Sequence, residues 1–106
     1  MRCKGQTCKN ERSAFAMIAR RFFISGEVQG VGFRYFAQRS AARHQVRGYV
    51  RNLSDGRVEA LVQGSEAAVK GFHLDMAAGP SNSKVSHVEE LVIEPTGHYS
   101  TFRIER

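Results

Sequence analysis

The sequence predicts a single α+β domain with elements in the order βαββαβ and one short strand added at its C-terminal end. Three observations support this prediction. Several short segments alternate hydrophobic and polar residues, two longer segments carry hydrophobic residues at helical spacing, and Asp-Gly and Gly-Pro pairs mark boundaries between segments. The chain has 106 residues, of which 42% are hydrophobic and 25% are charged, as expected for one globular domain.

The first two elements are a strand and a helix. Alternation over Arg21–Val28 places Phe22 and Ile24 on one face, which is typical of a strand with one buried side. From Phe33 the spacing becomes helical, and the helix is expected to end around His44. The hydrophobic positions of this helix are Phe33, Phe36, Ala37 and Ala41.

A β-hairpin follows the helix. Val46–Asn52 is predicted as its first strand and Arg57–Gln63, which alternates again, as its second. The segment Asn52–Gly56 between them contains Asp-Gly, which is a strong hairpin signal.

The remaining elements complete the predicted fold. Ser65 can cap a second helix, and Gly79-Pro80 ends it. Ser83–Pro95 is predicted as a strand and Ser100–Arg106 as a short final strand. This order is that of the ferredoxin-like βαββαβ sandwich, in which two helices cover one face of a mostly antiparallel sheet. The hydrophobic stripe of the second helix is Val69, Phe72 and Met76.

The predicted order of elements locates a site. A strand–helix–strand unit makes its two strands parallel, so their C-terminal ends reach the same edge of the sheet. We therefore expect the loop after the first strand, "QGVG", and Asn52 at the end of the second strand to emerge side by side.

The glycine-rich loop has the composition of an anion site. It lacks the Gly-Lys of a Walker A loop and the third glycine of the dinucleotide fingerprint. Gly30 and Gly32 nevertheless permit positive φ, so the N–H groups from Gln29 to Arg34 can form a concave group of donors at a helix N-terminus. Arg34 could bind two oxygens of an oxyanion. The loop chemistry alone leaves open a tight turn with a solvated arginine.

Two motifs in the chain resemble those of the acylphosphatase family. "GEVQGVGFR" and "GYVRNLSDGRVEA" are similar to its signatures, and the resemblance runs from about Arg21 to Arg106. One departure is Tyr49, where the family often has tryptophan. The resemblance implies the same fold, and it implies hydrolysis of acyl phosphates to carboxylate and inorganic phosphate.

The resemblance also implies the roles of individual residues. Arg34 matches the phosphate-binding arginine of the family, and Asn52 matches the asparagine that orients the attacking water. We expect no cofactor and no metal, and inorganic phosphate or sulfate should bind as site ligands. The backbone N–H groups implied to hold the phosphate are those of Gln29, Gly30, Val31, Gly32 and Phe33.

The alternatives to acyl phosphate hydrolysis are an RNA-binding module and a non-hydrolytic anion-binding domain. An RNA-binding module of the same topology would carry aromatic residues on its central strands, and "RVEALVQ" has none. A non-hydrolytic anion-binding or carbamoyl-phosphate-handling domain is the closer alternative, because such a domain occurs in the much longer hydrogenase-maturation carbamoyltransferases. The four histidines, His44, His73, His87 and His98, lack metal-ligand spacing.

The segment before the domain differs from the rest of the chain. Residues 1–20 are predicted to be a flexible extension, and residues 21–106 to be the domain. Residues 1–16 contribute about half of the net charge of +6. Cys3 and Cys8 are expected to be free thiols rather than a local disulfide or a metal site, because a lone C-x4-C lacks the four ligands of structural zinc. We expect a cytoplasmic monomer that acts on a small molecule and binds neither nucleic acid nor membrane.

Overall fold

The computed structural model describes residues 17–105 and confirms the predicted α+β fold. A five-stranded sheet carries two helices, in the predicted order along the chain. Residues 1–16, with Cys3 and Cys8, and Arg106 lie outside the described residues. The elements are β1 (Ile18–Glu27), α1 (Phe33–His44), β2 (Arg47–Asn52), β3 (Val58–Gly64), α2 (Glu66–Ala78), β4 (Lys84–Ile93) and β5 (Phe102–Glu105).

The sheet has the strand order β4-β1-β3-β2-β5. β3 pairs antiparallel with both β1 and β2, so β1 and β2 are parallel, as predicted. They are not direct neighbours, because β3 lies between them. The loop after β1 must therefore cross the beginning of β3 to meet the end of β2. The short final strand β5 pairs parallel with β2 at the sheet edge.

The largest difference between prediction and structure is the start of β1. The strand begins at Ile18, three residues before the predicted Arg21. Ala19 is 1% exposed and pairs with Gln63 on one side and Ile93 on the other. Because these pairs lie inside the sheet, the strand includes residues that the sequence assigns to the extension. The other strand ends lie within two residues of the predicted ones.

Both helices pack on the same face of the sheet. Side chains of α1 and α2 meet alternate residues of β1, β2 and β3 in one continuous hydrophobic cluster. The aromatic rings of Phe22 and Phe72 lie at its centre, with centroids 6.0 Å apart. The fully or nearly fully buried members are Phe22, Ile24, Val28, Phe33, Ala37, Ala41, Val46, Val50, Val58, Ala60, Val62, Val69, Phe72 and Met76.

The N-termini of the two helices are built differently. Ser65 caps α2 as predicted, since its hydroxyl accepts a hydrogen bond of 3.2 Å from the Ala68 N–H. At α1 the N-cap residue is Gly32, with φ of 76°, which has no side chain to accept such a bond. The donors at the start of α1 are thus left without a side-chain cap, and this is the end of the helix that faces the glycine-rich loop.

Within residues 17–105, no helix is both long enough and apolar enough to cross a bilayer.

Candidate active site

A small cavity lies where the ends of β1 and β2 meet the start of α1. Its volume is about 180 Å³. Five of the seven residues implied to form the site line it, and Gln29 and Val31 are the two that do not. The lining residues are Val28, Gly30, Gly32, Phe33, Arg34, Tyr35, Asn52 and Ile104.

The backbone of the loop provides hydrogen-bond donors beside the cavity. Gly30 and Gly32 both have φ of 76°, in the left-handed region that favours glycine. The first backbone bond of α1 runs from the Phe36 N–H to the Gly32 carbonyl at 3.0 Å. The N–H groups of residues 30–35 find no acceptor among residues 17–105. Donors in such an arrangement, together with the positive end of the helix dipole, favour an anion.

Arg34 brings a cation to the same cavity. It is half-buried in the first turn of α1, and that turn contains no acidic residue. Its Nη1 donates a hydrogen bond of 3.4 Å to the carbonyl of Glu105 on β5. This bond is long, and because a guanidinium has five N–H donors, others remain for another partner. A cation at a helix N-terminus is unfavourable on its own, and a bound anion would offset that cost.

Asn52 also lines the cavity, at the end of β2. It is the last residue of β2, is half-buried and pairs with Val58, the first residue of β3. Its position is set by the hairpin that follows. In that hairpin Asp55 accepts hydrogen bonds from the Arg57 N–H at 3.1 Å and from Arg57 Nε at 2.9 Å. The bond from the backbone of Arg57 is the main cause that lowers the pKa of Asp55.

A larger groove elsewhere is unrelated to the predicted site. It has a volume of about 730 Å³ and lies between the second half of α1 and the start of β5. Its polar side chains include Gln38, Arg39 and Arg47, and it contains none of the residues implied by the motifs. The smaller cavity, by contrast, is lined by five of the residues that the motifs imply, among them Arg34 and Asn52.

Metal ligands are not grouped in the described part of the chain. In residues 17–105, no three His, Cys, Asp or Glu side chains are close enough together to hold a metal ion. Tyr49 and Asp75, whose pKa values are shifted, do not line the cavity.

The comparison with known families identifies the chain. The acylphosphatase family model matches residues 20–104. The chain belongs to the acylphosphatase family. The acylphosphatase of Chloroflexus aurantiacus is 49% identical over 82 residues, which is 77% of this chain and 89% of the relative. The crystal structure of acylphosphatase from Bacillus subtilis matches with a TM-score of 0.81 at 36% identity, covering 84% of this chain and 99% of that one.

One similar structure belongs to a much larger protein. Full-length HypF, in its phosphate- and nucleotide-bound form, matches with a TM-score of 0.79 and 32% identity. The match covers 86% of this chain but 12% of HypF. The acylphosphatase fold thus occurs both by itself and inside a longer chain.

The acylphosphatase motif contains one contact that the sequence did not predict. The carboxamide of Gln29 donates hydrogen bonds from Nε2 to the carbonyls of Leu53 at 2.7 Å and Arg57 at 2.9 Å. The motif resemblance implies only a backbone role for Gln29. Its position directly after buried Val28 marks the end of a strand, but no feature of the sequence indicates a partner in a hairpin more than twenty residues away.

A buried carboxylate lies on the opposite face of the sheet. Glu59 is 3% exposed, and its oxygens lie 2.6 Å from Arg51 Nε and 3.3 Å from Arg21 Nε. It also accepts a hydrogen bond of 3.0 Å from the Tyr49 hydroxyl. Burial raises the pKa of Tyr49, and the neighbouring Glu59 raises it further. This cluster fixes β2 against β3 near Asn52, and its carboxylate faces away from the cavity.

Proposed function

We propose that the chain hydrolyses acyl phosphates, with the phosphoryl group bound in the cavity between the glycine-rich loop and Asn52. The observation that carries the proposal is the convergence of three kinds of group on one small space. These are the backbone N–H groups of the lining residues Gly30, Gly32 and Phe33, which find no acceptor among residues 17–105, and the side chains of Arg34 and Asn52.

The size of the cavity supports a substrate that is bound mainly by its phosphoryl end. Pockets that enclose a drug-sized molecule measure about 300–1,000 Å³, whereas this one is about 180 Å³. A phosphoryl group fits such a space, and the acyl part would extend past its rim. Tyr35 is 66% exposed and lines the cavity, so it is the aromatic side chain that an acyl group would meet.

The proposed reaction transfers the phosphoryl group to water. A water oxygen forms a new bond to phosphorus while the bond from phosphorus to the acyl oxygen breaks, and the carboxylate leaves with that electron pair. The attacking water supplies both protons of the dihydrogen phosphate that forms, which then equilibrates with solvent. Asn52 would hold the water opposite the leaving oxygen, as in-line attack requires.

This chemistry needs little besides positioning and charge. A carboxylate is a good leaving group, so no strong general acid has to protonate it. The backbone donors and Arg34 would stabilise the charge on the equatorial phosphoryl oxygens, which is the main requirement of phosphoryl transfer. We propose that the reaction uses no cofactor or metal, since these groups supply the needed charge.

A second candidate is binding without hydrolysis. The match to HypF, whose structure contains bound phosphate, favours a domain that holds an anion, and the motif resemblance adds carbamoyl phosphate as a possible ligand. The same cavity would serve either function, so the two candidates differ in turnover and not in binding. RNA binding has no comparable support.

Hydrolysis of benzoyl phosphate, followed by ultraviolet absorbance, tests the proposal. We expect turnover with inorganic phosphate as a competitive inhibitor. The matched variants are Arg34→Ala, which should lose turnover, and Arg39→Ala, which removes an exposed arginine on the same helix and should not. Phosphate binding without turnover of benzoyl or carbamoyl phosphate would favour the second candidate, and no binding at all would contradict both.

We also propose that the protein acts in the cytoplasm as a monomer on a small-molecule substrate. The stand-alone length of the relatives supports independent action of the domain. Sedimentation at several concentrations and fractionation of cells that produce the protein would test the two parts separately.

A further inference from the structure

We propose that the side chain of Gln29 is a positioning residue that holds Asn52 in register with the phosphate-binding loop. This inference rests on the proposed function. Gln29 is half-buried and does not line the cavity. Its carboxamide instead points to the β2–β3 hairpin, and it donates to two carbonyls there.

The two hydrogen bonds reach the base of the β2–β3 hairpin, next to Asn52. Leu53, which accepts the bond of 2.7 Å, directly follows Asn52. The Arg57 carbonyl accepts the second bond of 2.9 Å from Gln29 and also a bond of 2.8 Å from the Leu53 N–H. One carboxamide therefore joins both strands of the hairpin at the point where β2 ends.

The sheet alone does not fix this relationship. β1 and β2 are separated by β3, and the pairing of β1 with β3 ends at Ile24 and Val58. The residues after Ile24 extend past the start of β3 on the way to the loop. Within residues 17–105, the two bonds from Gln29 are the only hydrogen bonds that join this loop to the hairpin.

The chemistry of the contacts fixes the orientation of the carboxamide. Both partners are carbonyl oxygens, which accept and cannot donate. Only the NH₂ group of the side chain can face them, and it has one hydrogen for each. Glutamate has nearly the same shape but would place a negative oxygen against two carbonyls. Methionine has a similar length but no donor. These two substitutions remove the bonds while nearly preserving the volume.

We call the two hydrogen bonds from Gln29 to the Leu53 and Arg57 carbonyls the clamp. Its loss should lower the rate of hydrolysis more than it weakens phosphate binding. The loop donors and Arg34 lie on one side of the contact and Asn52 on the other, so a shift of the hairpin moves the water relative to the phosphorus. A misplacement of about 1 Å costs roughly 100-fold in rate. We expect Gln29→Met to lower kcat about 10- to 100-fold, and Gln29→Glu to lower it further. The inhibition constant of inorganic phosphate should change less than about threefold, since its donors stay in place.

A double-mutant cycle with Asn52 tests the inference. If Gln29 acts through Asn52, Gln29→Met should change kcat less than about twofold in the Asn52→Ala background, because coupled residues are not additive. Gln38→Ala, at a glutamine on the side of α1 that lines the larger groove, is the matched control and should leave kcat unchanged. Circular dichroism identifies any variant that fails to fold, and Gln29→Met keeps the test valid if Gln29→Glu does not fold.

The outcomes separate the inference from the proposed function. An inactive wild type would overturn the proposed function and the clamp's catalytic role together. With an active wild type, the clamp alone is overturned if Gln29→Met keeps full kcat, lowers kcat equally in both backgrounds, or weakens phosphate binding as much as it lowers the rate.

Discussion

Arg34 and Asn52 line the same cavity, although one stands in the first turn of α1 and the other ends β2. Two features of the fold bring them together. The strands β1 and β2 are parallel, so both end at one edge of the sheet, and Gly32 allows α1 to begin immediately beside that edge. The proposed mechanism depends on this relationship, because one residue binds the phosphoryl oxygens and the other orients the water.

Removal of the Arg34 guanidinium should nearly abolish turnover. Arg34→Ala is expected to lower kcat/KM by about 10²–10³ or more, as for the loss of a preorganised donor, and to weaken inhibition by phosphate. Arg34→Lys keeps the charge but loses the planar pair of donors, so its activity should be intermediate. Steady-state hydrolysis of benzoyl phosphate measures both variants. Wild-type turnover by Arg34→Ala would remove Arg34 from the mechanism.

Asn52→Ala should separate rate from binding. Without the carboxamide, kcat is expected to fall about 10²–10³-fold, whereas the inhibition constant for phosphate should change by less than about threefold because the loop and Arg34 still hold the anion. Asn82→Ala, at an exposed asparagine before β4, is the matched control. An equal loss of rate and phosphate affinity would assign Asn52 to binding rather than to water orientation.

Gly32→Ala should weaken phosphate binding through the backbone. A Cβ at this position would meet no atom within 4 Å, so the cost comes from φ of 76° alone. That conformation costs a residue with a side chain about 1–2 kcal/mol, and relief of the strain would turn the loop donors away from the cavity. Chemical denaturation and phosphate inhibition measure the two effects. Gly97→Ala, also in open space but without a positive φ, should change neither.

The stability of the protein should decrease in acid through Asp75. This residue of α2 accepts hydrogen bonds from Ser40 at 2.6 Å and from Arg43, and lies 3.0 Å from His44, all on α1. Burial by itself would raise the pKa of Asp75, but the bonds from Ser40 and His44 and the charge of Arg43 outweigh it, so the pKa lies below the ordinary value of 3.8.

The direction of the pH effect follows from that shift. The folded protein binds the proton on Asp75 less readily than the unfolded chain does, so this stabilisation is complete above the ordinary pKa and is lost as the pH falls through the lowered one. Asp75→Asn should cost about 1 kcal/mol at neutral pH and flatten the acid dependence of the free energy of unfolding. Glu89→Gln, at an exposed carboxylate on β4, is the control. An unchanged acid profile in Asp75→Asn would contradict the assignment.

Much of the fold follows from local patterns in the sequence. The alternation in β1 and β3, the helical spacing after Phe33 and the Asp-Gly turn each reflect forces that act within one element. The association of the glycine-rich loop with Asn52 was also predictable, because the helical crossover makes β1 and β2 parallel. The structure places both in one cavity, while their catalytic roles stay predictions.

The features that the sequence did not predict depend on contacts between distant segments. The alternation of residues in β3 predicts that Glu59 faces solvent on the side of the sheet opposite the helices. In the structure Arg21 and Arg51 cover it. Ile104 lines the cavity because β5 pairs with β2. The sequence did not predict this pairing, because a strand of four residues has too short a pattern to indicate which strand it pairs with. The bonds from Gln29 likewise require the tertiary structure.

The most direct test of the proposed mechanism is the fate of the water oxygen. Hydrolysis of benzoyl phosphate by the wild-type protein in water enriched in the heavy oxygen isotope should place the label in inorganic phosphate, because the water held by Asn52 attacks phosphorus. Mass spectrometry of both products measures its position. Label in benzoate instead would show attack at the acyl carbon and would contradict the proposed roles of the loop, Arg34 and Asn52.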